Sequence, residues 1–221
     1  MTRLHIFDMD GTLLSGSACL EVSRHLGQLD QINVIEKAWG RGEVGHAEFY
    51  KLCLPLWQGM TQQDVDQAFA ATAWLEGIPD VWADIGRRRE HSAVISLSPQ
   101  FFVDRLLEWG VESVHGAPVH PAVPLDAELV LTPAHKLSIV DDLMRTYDLT
   151  EDDCVAYGDS ASDIPLFQRH RHTVAVNGSE AIRRVAASSY DGRDLRGAYA
   201  AGRALLARTH ASVVGSTDRS T

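Results

Sequence analysis

The apolar run Leu4-His5-Ile6-Phe7 leads straight into Asp8-Met9-Asp10-Gly11-Thr12, so two carboxylates follow a strand-like segment at a spacing of two. Far downstream stand Ser96, Lys136, and the run Gly158-Asp159-Ser160-Ala161-Ser162-Asp163. Carboxylates gathered in one place repel one another unless a cation neutralises them. An all-oxygen donor set favours magnesium, which keeps several waters and takes one or two protein carboxylates. A carboxylate nucleophile can form an aspartyl-phosphate and divide a hard displacement into two steps. A second carboxyl can protonate the leaving oxygen and then deprotonate water, help worth roughly 10²–10⁴-fold. A lysine and a serine hydroxyl can hold the transferring oxygens, in a reaction dominated by positioning and charge neutralisation. The chemistry these residues suggest together is phosphoryl transfer.

Each residue taken alone has a plainer reading. Acids often end strands, and Ser96 suits a turn or cap. Lys136 suits a solvated helix start. Asp159 suits a turn after Gly158, and Asp163 suits the cap of a helix starting near Pro165. The functional reading rests on all of them falling, in order, at element boundaries.

Those boundaries come from the hydrophobic pattern. Residues 4–7, 93–97, 154–157 and 173–176 are short apolar runs of the buried-strand kind, and 111–115 is a weaker one. Helical patterns lie between them. Ser98 and Pro99 read as N-cap and first helical residue, with Phe102, Leu106 and Trp109 on one face and Gly110 as the stop. Thr132-Pro133 repeats that start, with Leu137, Val140, Leu143, Met144 and Tyr147 as the apolar stripe. Asp194 reads as the cap of a last helix with Leu195, Ala198, Gly202 and Leu205 inward. The alternation predicts an α/β fold with a parallel sheet covered on both faces. In such a sheet, residues just past the strand carboxyl ends share one edge, where ligands bind.

Residues 15–88 break the alternation. Segments 21–29, 33–39, 47–56 and 63–73 read as helices, punctuated by Gly40, Gly42, Gly45, Gly59, Gly77 and Pro79. We expect a small helical subdomain there, over a core formed by 1–14 and 89–210, with 211–221 a disordered tail. Trp39, Trp57, Trp74 and His46 fall in the insert. The tryptophans suit its own small core or a pocket wall, and His46 a surface position or a substrate contact. His170, Arg171 and His172 read as a solvated loop. Arg87-Arg88-Arg89 reads as a solvated helix end.

The chain has 221 residues and a formal net charge of -10. That balance repels a polyphosphate, so no nucleic-acid partner is expected; a locally positive site for a small anion is compatible with it. Cys19, Cys53 and Cys154 match no disulfide or zinc spacing, which favours a reducing compartment. Asp8 and Asp10 interrupt the first apolar run before a signal-peptide core can form, and no run approaches the roughly 18 residues of a membrane span. The expected location is the cytoplasm, with no membrane partner.

The stretch Ile6-Phe7-Asp8-Met9-Asp10-Gly11-Thr12 resembles motif I of the haloacid dehalogenase superfamily, an apolar strand followed by DxDxT. Val94-Ile95-Ser96 resembles motif II, Lys136 motif III, and Gly158-Asp159 through Asp163 motif IV, of the form GDxxxD. The resemblance reaches to about residue 207. An insert between motifs I and II is similar to the C1 cap, and Val94 to Pro99 resembles the phosphoserine-phosphatase-like branch. The implied fold is a Rossmann-like parallel sheet with the first strand central. The implied activity is magnesium-dependent hydrolysis of a small phosphorylated metabolite. Asp8 would be nucleophile and metal ligand; Asp10 would be general acid/base, with its backbone carbonyl on the metal. Asp159 would be the other carboxylate on Mg2+, and Asp163 would support the metal shell or Lys136. Gly11, Thr12, Ser96, Leu97 and Lys136 would bind the phosphate.

The chain departs from that pattern in places. Ser17 stands where phosphoserine phosphatases carry a glutamate that meets the substrate amino group. The cap arginine for the substrate carboxylate has no clear match, falling near Lys51 or Cys53. Gly11 replaces a frequent serine, and Leu97-Ser98-Pro99 replaces Gly-Gly after motif II. These changes leave the phosphate chemistry in place and the leaving group open. A phosphotransferase or phosphomutase, and a non-catalytic phosphate-binding protein, are the alternative readings.

Overall fold

The computed structural model describes residues 2–217, with side chains described for 2–208. The chain forms, in order, β1 (Leu4–Phe7), α1 (Ala18–His25), α2 (Leu29–Gly40), α3 (His46–Cys53), α4 (Gln62–Ala71), α5 (Ile78–Arg87) and β2 (His91–Pro99). There follow α6 (Gln100–Val103), β3 (Ser113–Ala117), α7 (Pro133–Tyr147), β4 (Cys154–Gly158), α8 (Ile164–Arg169), β5 (Thr173–Val176), α9 (Glu180–Arg183), β6 (Ser188–Tyr190) and α10 (Leu195–Thr217).

The strands make one six-stranded sheet in the order β3-β2-β1-β4-β5-β6, parallel throughout. This is the expected α/β fold, with β1 central. Phe7 lies level with Val94 on one side and Tyr157 on the other. The residues just beyond, Asp8, Ser96 and Asp159, therefore lie along one edge of the sheet. All four residues of β1 are buried, because a central parallel strand is covered on both faces. Alternation divides the sheet's apolar residues between two cores. Leu4, Ile6, Ala93 and Ala156 face Val140, Met144, Leu166 and Phe167. Phe7, Val94, Val155 and Val176 face the side of Trp82, Ile85, Leu195 and Ala198.

The last helix approaches closely at Gly202, where a Cβ would sit 2.1 Å from the Tyr157 hydroxyl. That contact turns the inward stripe slightly: Leu206 is buried where Leu205 was expected, and Leu205 is only partly covered. α10 stays helical as far as Thr217, through part of the segment expected as a disordered tail; residues 218–221 lie outside the described residues.

The insert is pinned at its neck. Ser15 N–H donates to the Ala73 carbonyl (3.0 Å) and Leu75 N–H to the Leu13 carbonyl (2.8 Å), so entry and exit pair. Above it, Trp57 is fully buried and its indole donates to Ser23 Oγ at 2.8 Å, which makes it a core residue of the insert. α5 was expected to belong to the insert, but packs instead on α10 and the sheet. The Tyr199 hydroxyl donates to Asp84 at 2.9 Å, and Arg196 lies 3.2 Å from Asp80. Helical periodicity alone carries no record of which layer a helix joins. On these contacts we propose a cap of residues 15–74, with α5 in the core.

Three local expectations are corrected. β2 runs on through Ser98 to Pro99, and its pairing with β3 shifts register between Ile95 and Pro99, so Ser98 is strand and caps no helix. β6 gives no apolar signal along the chain because it is a three-residue, serine-rich edge strand. His170 and His172 are buried rather than solvated, and His172 Nδ1 lies 3.1 Å from the Cys154 carbonyl. All three cysteines are free and buried. Among the described residues no helix is long and apolar enough to cross a membrane.

Candidate active site

The turn after β1 sets the first two acids. Asp8 N–H donates to the Tyr157 carbonyl at 2.9 Å, the last tie to the sheet. The Met9 carbonyl then accepts from the N–H groups of Thr12, Leu13 and Leu14, while the Met9 side chain is fully buried. Anchoring Met9 inward turns its neighbours Asp8 and Asp10 toward a cavity of about 740 Å³ between sheet edge and insert.

Lys136, from the first turn of α7, is 1% exposed, so its ammonium has left water almost entirely. It lies 2.9 Å from Asp8 Oδ1, 2.6 Å from Asp163 Oδ1 and 3.4 Å from Ser162 Oγ. Burial alone would pull its proton affinity down, but the carboxylates of Asp163 and Asp8 outweigh this and hold it above the ordinary lysine value. Asp8 is pushed well above the usual carboxylate range, first by burial and then by the charge of Asp163, with Lys136 opposing. Asp163 also accepts from the N–H groups of Asp159 (3.2 Å) and Ser160 (3.4 Å), which folds the motif IV turn around it.

Asp10 is held apart from that cluster. Its Oδ1 accepts the Ala18 N–H at 3.0 Å, and its Oδ2 accepts the Ser98 hydroxyl at 2.5 Å. Burial raises its proton affinity to about 6, against these two hydrogen bonds. Ser98, whose place before Pro99 suits a helix cap, is instead part of the site. The register shift in β2 aims it at Asp10, and its own N–H donates to Ser96 Oγ at 3.1 Å.

Gly11 is required twice over. Its φ is +74°, and a Cβ there would stand 2.2 Å from Asp159 Oδ2. Gly11→Ala should displace Asp159 and lower any turnover at this site about 10-fold or more, because angstrom-scale misplacement in a site can cost about 10²-fold. Steady-state kinetics check this; unchanged kcat/KM would show that the turn relaxes freely.

Asp8, Asp10, Gly11, Ser96, Leu97 and Asp159 all line the cavity. Thr12 and Lys136 are placed behind that surface. Thr12 is fully buried, with its hydroxyl 3.5 Å from Asp159 Oδ1, and Lys136 sits beneath Asp8. Trp39 and His46 lie on the cavity wall, whereas Trp74 packs against Phe69 and Trp109. Glu36, Phe49 and Tyr50 also reach the wall. Nothing at sequence level marked these three, since they come from helical faces whose orientation the tertiary fold sets. Neither Lys51 nor Cys53 lines it: Lys51 is exposed beside Glu48, and Cys53 is buried.

A hard cation fits this donor set. Oxygens of Asp8, Asp159 and Asp163 lie within 4.8 Å of one another, with Lys136 the cation among them. Asp159 is raised to about 7, first by burial and then by Asp163, so its charge is poorly compensated in the metal-free fold. The sign of the pH dependence follows. Asp10 and Asp159 bind protons more tightly folded than unfolded, from 3.8 up to about 6 and about 7. Their stabilisation is fully present below about 3.8 and is lost as pH rises through 6 to 7. The metal-free protein should therefore melt at a lower temperature at pH 8 than at pH 5. Magnesium should raise Tm more at pH 8 than at pH 5. Thermal-shift measurements with chelator or magnesium test this; an equal shift at both pH values contradicts it.

The comparisons agree with the geometry. The family model of haloacid dehalogenase-like hydrolases matches residues 6–168. The chain is 25% identical over 200 residues to a phosphoserine phosphatase of Archaeoglobus fulgidus, covering 88% of this chain and 58% of that protein. It thus spans under two thirds of that relative's length. It is 23% identical over 202 residues to a phosphoserine phosphatase of Methanocaldococcus jannaschii, covering 88% of this chain and 94% of that one. A solved phosphoserine phosphatase, a phospho-aspartyl intermediate analogue, superposes with a TM-score of 0.74 at 21% identity, covering 89% of this chain and 96% of that one. With a family match over most of its length, and that fold, the chain belongs to the haloacid dehalogenase-like hydrolases.

Proposed function

We propose that this protein is a magnesium-dependent phosphatase that hydrolyses a small phosphomonoester through an aspartyl-phosphate on Asp8. The observation that carries the reading is the separation of two acids two residues apart: Asp8 on Lys136, and Asp10 on Ser98 and Ala18 N–H. Lys136 gives Asp8 a counter-charge for its ionised form, whereas Asp10 has only neutral hydrogen-bond donors, so the two acids are equipped for different roles.

Both Lys136 and the Met9 N–H contact Asp8 on Oδ1, which leaves Oδ2 to attack phosphorus. As the Asp8–phosphorus bond forms, the bond to the leaving oxygen breaks, and Asp10 gives that oxygen a proton. A water then attacks the phosphoryl group, Asp10 takes its proton back, and inorganic phosphate leaves with Asp8 restored. A proton affinity near 6 suits a group that must both give and take a proton near neutrality. Ser96 accepts from the Ser98 N–H, so its own hydroxyl hydrogen can be donated to a phosphoryl oxygen. Lys136, released from the charge of Asp8 once that group is esterified, would turn toward the phosphoryl group. Magnesium would be held by Asp8 and Asp159, with the Asp10 carbonyl and Asp163 in support. When bound it supplies charge neutralisation on the phosphoryl oxygens.

The test is hydrolysis of an aryl phosphate and of a panel of phosphorylated metabolites. Turnover should appear with magnesium, vanish with chelator and return when magnesium is restored. Release of inorganic phosphate in the presence of a competing alcohol separates hydrolysis from transfer. No turnover of any phosphomonoester with magnesium present defeats the proposal.

A further inference from the structure

The cavity continues past the phosphate end into the insert, and its charge there is one-sided. The charged residues on its wall are Asp8, Asp10, Asp159 and Glu36; among the described lining residues there is no lysine or arginine. Glu36 stands apart from the phosphate chemistry. It sits on α2, with Trp39 one turn further on the same helical face. Its Oε1 accepts the Ser17 hydroxyl at 2.5 Å, and among the described residues no cation pairs with it. Burial raises its proton affinity, the response of a carboxylate withdrawn from water without a counter-charge. His46, the base on this wall, is held below its ordinary value by burial and then by His135, which favours its neutral ring.

Trp39, Phe49 and Tyr50 give that wall an aromatic side. The Trp39 ring centroid lies 5.3 Å from that of Phe49 and 4.5 Å from that of His46. The Tyr50 hydroxyl is committed to the Leu97 carbonyl at 2.5 Å, so Tyr50 presents ring rather than a donor. An anion among aromatic faces is a receptor for an ammonium group, by charge pairing and by the ring quadrupole. The same acids repel a carboxylate, and no lysine or arginine among the described lining residues would receive one.

We infer that the leaving group is an amino alcohol without a carboxylate, its ammonium held by Glu36 against Trp39 and Phe49. This rests on the phosphatase reading above and names its substrate class. Glu36 is thereby a specificity-determining residue, remote from the reacting atoms.

The test compares kcat/KM for 2-aminoethyl phosphate, its neutral isostere n-propyl phosphate, and phosphoserine, with the full chain and magnesium. Charge-assisted hydrogen bonds of this kind set the expected scale. The wild type should prefer the aminoethyl ester to the propyl ester by about 10-fold or more, and to phosphoserine by a similar factor. Glu36→Gln should bring the aminoethyl-to-propyl ratio close to one. A wild-type ratio near one, a preference for phosphoserine, or a ratio unmoved in Glu36→Gln overturns the inference. The wild-type comparison stands even if the variant fails to fold. An aryl phosphate, assayed alongside, separates the two failures. If it is hydrolysed and the ammonium preference is absent, only the substrate class is wrong. If neither it nor any of the three alkyl esters is hydrolysed, the phosphatase reading itself has failed.

Discussion

Asp8→Asn is expected to abolish aryl phosphate hydrolysis, a loss on the order of 10⁴-fold or more, because it removes the group proposed to form the covalent intermediate. The substitution keeps shape and removes only charge. It should not unfold the protein. In the metal-free fold Asp8 is already pushed well above the usual carboxylate range by burial and by Asp163, so its ionised form is a burden there. A neutral amide lifts that burden, while Lys136 keeps Asp163 as its partner at 2.6 Å. At pH 8 with chelator, Asp8→Asn should therefore melt no lower than the wild type while being inactive. Inactivity without loss of Tm assigns Asp8 to the reaction rather than to the fold. Activity within about tenfold of wild type would end the aspartyl-phosphate mechanism.

Lys136→Met should produce the largest combined effect on stability and rate. Methionine replaces the stem but leaves Asp8 and Asp163 facing each other without their ammonium. Breaking a buried ion pair from one side costs about 3–5 kcal/mol. For a chain of this size that is a fall in Tm of about 10 °C. The deficit must depend on pH with a definite sign. Deprived of the Lys136 cation that opposes its rise, Asp8 binds a proton still more tightly in the folded state, and a raised folded-state value stabilises at low pH and is lost as pH rises. The Tm gap to the wild type should be widest at pH 8 and narrow toward pH 5, with chelator present throughout. Turnover should fall about 10²–10³-fold or more, the scale for removing one preorganised group that stabilises transition-state charge. A gap that grows toward pH 5, or an unchanged Tm at pH 8, would show that Lys136 does not hold the cluster.

Much of the phosphate end of this site was legible because its signals are local. Asp8 and Asp10 sit where an apolar strand stops, Asp159 and Asp163 close the next such strand, and Thr132-Pro133 announces the helix that carries Lys136. A parallel sheet brings strand ends to one edge whatever the length of chain between them. Recognising the elements was therefore enough to expect the convergence.

The leaving-group end was not legible in the same way. The Ser98 hydroxyl meets Asp10 only because β2 runs on and slips its register against β3, a property of two paired strands. Read along the chain, Ser98-Pro99 was an ordinary helix start. Ser17 was visible as a departure from a pattern, but that Glu36 leans onto its hydroxyl depends on how α2 packs over α1. Likewise α5 reads as one more helix of the insert until its contacts with α10 place it against the sheet.

Sequence alone determined the order of acids, serine and lysine and the elements that end in them, because periodicity and turn chemistry act over a few residues. Only the tertiary structure decided which acid is held by Lys136, which by Ser98, and which charges face the leaving group. Those are distances between side chains far apart in the chain, and packing sets them.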